Sequence, residues 1–417
     1  MKKLFTLLAL CGGTFLYSQD LVLVSYAHNY AEQAFYRFAD DATTNIPNES
    51  WDIALTAFGD SDAGIFINES SVVFGSQNVL FLAPTDDFSA TIAPADLTMR
   101  LLNDEQSWDY GAFNLPRDES NPDDFGWGAY DAATESIKGT KVYAIQFRDG
   151  SYKKLQIVSL DQGVYTLKHA DLDGANETTL TVDKADFPNN HFIYLPLGSG
   201  QPLDIVPSEW DLTFTRYSSP VDDGAGGTFD LVTAGVLSAP GVEVAEASGV
   251  VPETVDYLDY EDQFSAVPDI IGYDWKDFDN GNWLIPEDRA YFVKLPTGQI
   301  WKVIFIEFKG SSTGEAIFTK EEVRPSAVQE GKSLFNSFAV YPNPMGRQSS
   351  VIFSLKKNGR VHLSLSSVFG NIVWEKEYPA NRGLNNFALP VMNIPTGTYF
   401  MNLSAGGEKV SAKVVKF

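Results

Sequence analysis

Apolar and polar positions alternate along most of this chain in short runs with a period of two. That period sends successive side chains to opposite faces of a strand. Leu21-Val22-Leu23-Val24, Ala34-Phe35-Tyr36-Arg37-Phe38, Ile65-Phe66-Ile67, Val72-Val73-Phe74 and Val79-Leu80-Phe81-Leu82 read as strands. Residues 84–140 are irregular and rich in Asp, Pro and Gly, with a short helix expected near Pro94 to Asn103. A hairpin follows: Lys141 to Phe147, the turn Arg148-Asp149-Gly150, then Tyr152 to Leu160, with Gly163 to His169 as a third strand. Asp-Gly between two alternating runs is a strong hairpin signal.

The same order then recurs. Ile46-Pro47-Asn48-Glu49-Ser50-Trp51-Asp52-Ile53 is matched by Val206-Pro207-Ser208-Glu209-Trp210-Asp211-Leu212. In each, Pro fixes φ in a turn and Trp opens a half-buried strand. The later hairpin runs from Ala290 to Leu295, turns at Pro296-Thr297-Gly298 and returns over Gln299 to Phe308. Tyr143 and Tyr291, Gly150 and Gly298, and Lys154 and Lys302 are each 148 apart, whereas Trp51 and Trp210 are 159 apart. The difference falls in the irregular middle, where insertions are tolerated. This pattern predicts two tandem β-rich units, residues 20–185 and 186–323, each long enough for its own core. A polar stretch at 324–337 reads as a linker, and 338–417 carries short strands about every ten residues, as in a small β-sandwich.

Composition narrows the function. The formal net charge of −25 argues against nucleic acid, which needs a basic footprint, and against an anionic membrane surface. Residues 1–19 read as a signal peptide: Lys2-Lys3, then apolar Leu4 to Leu10, then small and polar residues to Gln19. The single cysteine, Cys11, lies inside this segment, so cleavage near Ser18 leaves a chain without disulfides or thiolate sites. Lipidation at Cys11 is the alternative, although Leu10 stands where such signals want a small residue.

Residues 338–417 resemble the type A C-terminal sorting domain of the Bacteroidetes type IX secretion system. Tyr341-Pro342-Asn343-Pro344 opens the segment, Phe369-Gly370-Asn371 follows, and Gly397-Thr398-Tyr399-Phe400 precedes the closing Lys413-Val414-Val415. The resemblance implies recognition by the outer-membrane translocon, passage through the periplasm, and release or anchoring at the cell surface. The tandem units resemble, more loosely, the HmuY family of secreted haem-binding proteins. The likeness rests on the Trp-Asp pairs and the hairpin from Val142-Tyr143 to Ile157. It implies haem or a related tetrapyrrole between two axial side chains, with no ligand placed by a local motif.

His169 and His191 end and begin strand-like runs near the junction of the units, and Met99 is the only methionine within them. Histidine and methionine are the axial ligands haem proteins use, so these three are the haem candidates. Asp171-Leu172-Asp173-Gly174 and Asp277 to Asn282 resemble calcium loops but lack the distant bidentate Glu; Asp-Gly turns are the preferred explanation, with calcium the alternative. Trp51 and Trp210 recur inside strand patterns and read as core. Trp108, Trp127, Trp275 and Trp283 lie in irregular stretches and are the better surface candidates for stacking on a ligand. No phosphate loop, nucleophile elbow or zinc-protease helix is present, and no carboxylate pair is set by a motif. The reading is a mainly β, exported binding protein with no catalytic residues. Its ligand is haem or, alternatively, a glycan bound by an adhesin-like module.

Overall fold

The computed structural model describes residues 20–57, 62–70, 75–324, 335–341, 345, 349–367, 371–389, 394–406 and 408–416. The signal segment, the run Val72 to Phe74 and Pro342-Asn343-Pro344 lie outside them. Described elements are antiparallel strands joined by turns and single turns of 3-10 helix. The chain divides into a large unit up to Val323 and a small one from Arg324 onward.

The large unit opens with β1 (Asp20–Ser25), β2 (Glu32–Tyr36) and β3 (Thr43–Pro47). The first Trp-Asp pair leads into β4 (Ile53–Thr56), β5 (Ile65–Ile67), β6 (Val79–Leu82), β7 (Met99–Leu101), β8 (Gly128–Asp131) and β9 (Ser136–Gly139). The hairpin region supplies β10 (Tyr143–Gln146), β11 (Tyr152–Asp161), β12 (Val164–Ala170), β13 (Thr178–Asp183) and β14 (Phe192–Leu195). After the second Trp-Asp pair come β15 (Leu212–Asp222), β16 (Thr228–Ser238), β17 (Glu243–Ser248), β18 (Asp277–Asp279), β19 (Asn282–Leu284), β20 (Arg289–Lys294), β21 (Ile300–Phe308) and β22 (Glu315–Arg324).

The strands pair in two equivalent sets. One sheet runs β6-β10-β11-β12-β13, with β7 beyond β6, and faces a small sheet, β5-β4-β14. The other runs β17-β20-β21-β22-β1 and accompanies β16-β15-β2, with β3 beyond β2. The orders coincide strand for strand, with β1 standing where β13 stands and β2 where β14 stands. The sheets therefore do not divide at residues 185/186, as chain order suggested. The later repeat ends at β22, two strands short, and the N-terminal segment completes it. Asp20 to Ser25 pair with Lys320 to Glu315, and Tyr36, Phe35 and Ala34 pair with Leu212, Thr213 and Phe214.

The Trp-Asp pair makes the same clasp in both places. The Asp52 N–H donates to the Leu195 carbonyl at 3.1 Å, and its carboxylate accepts from the Leu197 N–H at 2.8 Å. Asp211 does likewise with the Tyr36 carbonyl, 2.8 Å, and the Phe38 N–H, 2.7 Å. The hairpin lysines also match. Lys154 and Lys302 are buried and donate to the carbonyls of Ala90 (2.8 Å) and Glu253 (3.1 Å), pinning each irregular middle onto its hairpin. Satisfied in this way, a buried ammonium costs far less than an unpaired one.

The alternation of β4, β5 and β14 sorts their side chains between two cores. Ile53, Leu55, Ile65, Ile67, Ile193 and Leu195 pack with Tyr143, Leu155 and Leu167 of the larger sheet. Ala54, Phe66, Phe192 and Tyr194 point the other way and join Phe35, Trp210 and Phe214. Two stretches singled out from sequence take definite local form. The helix expected at Pro94 to Asn103 is one 3-10 turn, Pro94–Asp96, followed by edge strand β7. The calcium-like stretch at Asp277 is the β18–β19 hairpin. Asn280 and Gly281 there take φ of 48° and 86°, the mirror-image turn that matches strand twist.

The small unit holds β23 (Phe335–Tyr341), β24 (Ser350–Leu355), β25 (Gly359–Ser367), β26 (Ile372–Ala380), β27 (Gly383–Ala388), β28 (Gly397–Ala405) and β29 (Glu408–Lys416). They form sheets β23-β24-β27 and β26-β25-β28-β29 around Val351, Phe353, Leu363, Leu365, Met401 and Leu403.

Candidate binding site

The two equivalent halves of the large unit meet across an aromatic junction. Trp51 stacks on Tyr194 with ring centroids 4.0 Å apart, and Trp210 meets Phe35 edge-on at 5.0 Å. Trp108 enters from the irregular middle, contacts Phe66, Phe192 and Trp210, and gives its indole N–H to the Ser238 carbonyl at 2.7 Å. Between these rings lies a cleft whose enclosed part is about 90 Å³. Thr213, Thr215 and Tyr217 line it from β15, where period-two spacing puts them on one face. Buried polar atoms on its lining residues that have no hydrogen-bond partner among the described residues include Trp51 Nε1, Trp210 Nε1, Thr213 Oγ1 and the Tyr217 hydroxyl. Buried polar groups are nearly always paired, so several on one cleft call for an explanation.

Acceptors stand beside these donors. Glu69 is 3% exposed, and its carboxylate accepts from the backbone N–H groups of Asn103 and Ser218, each at 3.2 Å. Burial pushes it up to about 7, against those hydrogen bonds and the charge of Arg100, which pull it down. Burial also raises Glu105, and Asp104 lies on the same wall. A carboxylate offers about four lone-pair sites, so Glu69 keeps acceptor capacity. The walls thus combine flat apolar faces, unspent donors and carboxylate acceptors.

The residues singled out from sequence do not converge here. His169, on β12, is 8% exposed and lines a separate, open cavity with Arg148 and Lys153. His191 precedes β14, meets Trp210 edge-on at 5.9 Å and lines a third cavity with Asp62 and Asp109. Met99 is 53% exposed on edge strand β7. The three do not fit a tetrapyrrole held between two axial side chains. The cavity at His169 is walled mainly by polar residues, with Phe147 and Leu197 its apolar ones, whereas a porphyrin face needs apolar walls. In the calcium-like loop at Asp171, the carboxylate is taken by Lys153 (2.6 Å) and Asn176 (2.6 Å). Among the described residues no group of three or more His, Cys, Asp or Glu is arranged to hold a metal.

The tryptophans differ most from expectation. Trp127 and Trp275 are fully buried, and Trp127 donates to the Ala63 carbonyl at 3.0 Å. They are also 148 apart, so the repeat register reaches back to them, and that spacing marks them as core from sequence alone. Trp283 is half-buried against Phe308. Glu69 carried no such signal, because only the fold brings it to the cleft. In the small unit Tyr341 closes β23, Gly397 opens β28, and the Tyr399 hydroxyl donates to the Pro395 carbonyl at 2.9 Å.

No curated protein matches the chain. Among solved structures it is similar to dimeric latent PorU from Porphyromonas gingivalis, at 10% identity and a TM-score of 0.18. The match covers 68% of this chain and 31% of that one, and likeness at that level carries no argument about fold or function. Residues 339–416 match the family described as secretion system C-terminal sorting domain. The small β unit is therefore a type IX sorting domain, which sends the protein through the periplasm to secretion or attachment at the cell surface.

Proposed function

We propose that the large unit is a non-catalytic binding module presented outside the cell, and that its ligand is a neutral, hydroxyl-rich molecule, a glycan, held end-on in the junction cleft. The observation that supports this is the set of unpartnered donors on aromatic walls beside Glu69. A sugar hydroxyl accepts from an indole N–H and donates to a carboxylate, while its C–H face stacks on a ring. An enclosed volume of about 90 Å³ is small beside the roughly 300–1,000 Å³ of whole-ligand pockets, so the cleft takes one end of a chain. Thr213→Val removes one donor at constant shape. Neutral glycans printed on an array should bind the natural protein, and binding should fall in the variant. An array on which the two proteins look alike rejects the reading.

Haem is the second reading, favoured by the single fact that His169 is buried with both ring nitrogens unbonded. The polar walls around it oppose this. Hemin added to the purified protein should give no Soret shift, and a shift abolished by His169→Ala would restore the haem assignment.

A further inference from the structure

The two sandwiches differ at one end. In the second, Trp301 stacks on Phe38 with centroids 5.4 Å apart and closes the gap between its sheets. The 148-residue register makes Lys153 the counterpart of Trp301. Leu197 is the counterpart of Phe38, since both give their N–H to the aspartate of a Trp-Asp pair. With Lys153 and Leu197 in place of two stacked rings, this end of the first sandwich is open. The cavity there is about 610 Å³, within the range of small-molecule sites.

Its polar groups are unevenly spent. His169, nine-tenths buried, has no partner at Nδ1 or Nε2. Arg148 commits Nε to the Ser70 carbonyl (3.2 Å) and one terminal nitrogen to the Asn48 carbonyl (3.0 Å). Its other terminal nitrogen stands 3.7 Å from Asp52, beyond hydrogen-bond reach. Lys153 binds Asp171 at 2.6 Å, one partner for three donors. Spare donor capacity therefore remains on a guanidinium, an ammonium and an imidazole. Glu49, Asp52 and Asp149 also line the cavity and outnumber the two cations, so a ligand with two negative charges would be repelled more than one with a single charge.

We propose that this open end binds a small monoanionic ligand bearing a carboxylate, a sugar acid in size and chemistry, with Arg148 and Lys153 on the carboxylate and His169 donating to it. The site is independent of the junction cleft. Burial, reinforced by Lys153 and opposed by Asp171, lowers His169 from its ordinary value and keeps it neutral at pH 7. A bound anion reverses part of that, so affinity should rise as pH falls from 7 to 5.

The test is calorimetric titration of the full mature chain with glucuronate, with glucose as its uncharged counterpart and with inorganic phosphate. Glucuronate should bind and glucose should not. His169→Gln and Lys153→Met should each weaken glucuronate about ten-fold or more, the loss expected for one hydrogen bond to a charged group. Thr213→Val should leave it unchanged. Equal binding of glucose and glucuronate, preference for phosphate, or unaltered affinity in both variants would each overturn the proposal. Neither variant breaks a bond within the core, and the imidazole signal of His169, identified by its loss in His169→Gln, reports binding independently of heat.

Discussion

Removing residues 20–47 tests whether the N-terminal segment completes the second sandwich. The deletion takes away β1, β2 and β3, and with them buried Val22, Val24, Tyr26, Phe35, Tyr36 and Phe38. At roughly 1.5–3 kcal/mol for each large apolar side chain, the loss is about 9–18 kcal/mol, an upper bound because unfolded chains already bury part of that area. Whole domains are stable by only about 5–15 kcal/mol. The variant should therefore lose the second sandwich altogether. The first sandwich has its own closing strands, β13 and β14, and should stay folded. Hydrogen exchange read by mass spectrometry separates the two: amides of β20, β21 and β22 should lose protection, while those of β10, β11 and β12 keep theirs. A synthetic peptide of residues 20–47, added in trans, should restore the lost protection. Full protection of β20 to β22 in the deletion variant, without peptide, would refute the reasoning.

Three further outcomes follow from the buried polar groups. Tyr217→Phe removes a buried hydroxyl without a partner and should be neutral or stabilising by about 1 kcal/mol in chemical denaturation; a loss above about 2 kcal/mol would mean that the hydroxyl is bonded. Glu69 has a folded value raised to about 7, so the folded state holds the extra proton, and its contribution to stability is lost as pH rises from about 4.5 to 7. Denaturation at pH 5 and pH 8 should show that decline, by up to about 3 kcal/mol, and Glu69→Gln should flatten it. Lys276 has the opposite sign. Burial among Trp275, Trp283 and Phe308 lowers it to about 7, so stability should rise between pH 7 and pH 10 in the natural protein and not in Lys276→Met.

What could be read from the sequence was whatever is local or periodic. Asp149-Gly150 marked a hairpin, and Trp51 and Trp210 marked equivalent strands, because turn chemistry and side-chain alternation act over a few residues. The spacing of Trp127 and Trp275 was equally periodic but was outweighed by the Pro- and Gly-rich composition around them. Asn280-Gly281 carries the hairpin signature, and the acidic residues beside it drew attention to calcium instead. Strand exchange was not legible. Nothing in Leu21-Val22-Leu23-Val24 says that its partner is β22 rather than a neighbour, since any half-buried apolar strand offers the same backbone groups. The binding surfaces were illegible for the same reason. Glu69 and Trp210 come to line one cleft, and His169 and Arg148 another, only after distant strands have paired.

The pairing of Asp20 with Lys320 also sets a clock. Strand β1 is made first and its partner about three hundred residues later, which at roughly 5–20 residues per second is a wait of about 15–60 s. During that interval β1 lacks its partner, and the second sandwich cannot close until β22 has been made. Completion falls due as the sorting domain begins to be made. The large unit can therefore be complete only in a chain long enough to have begun the sorting domain.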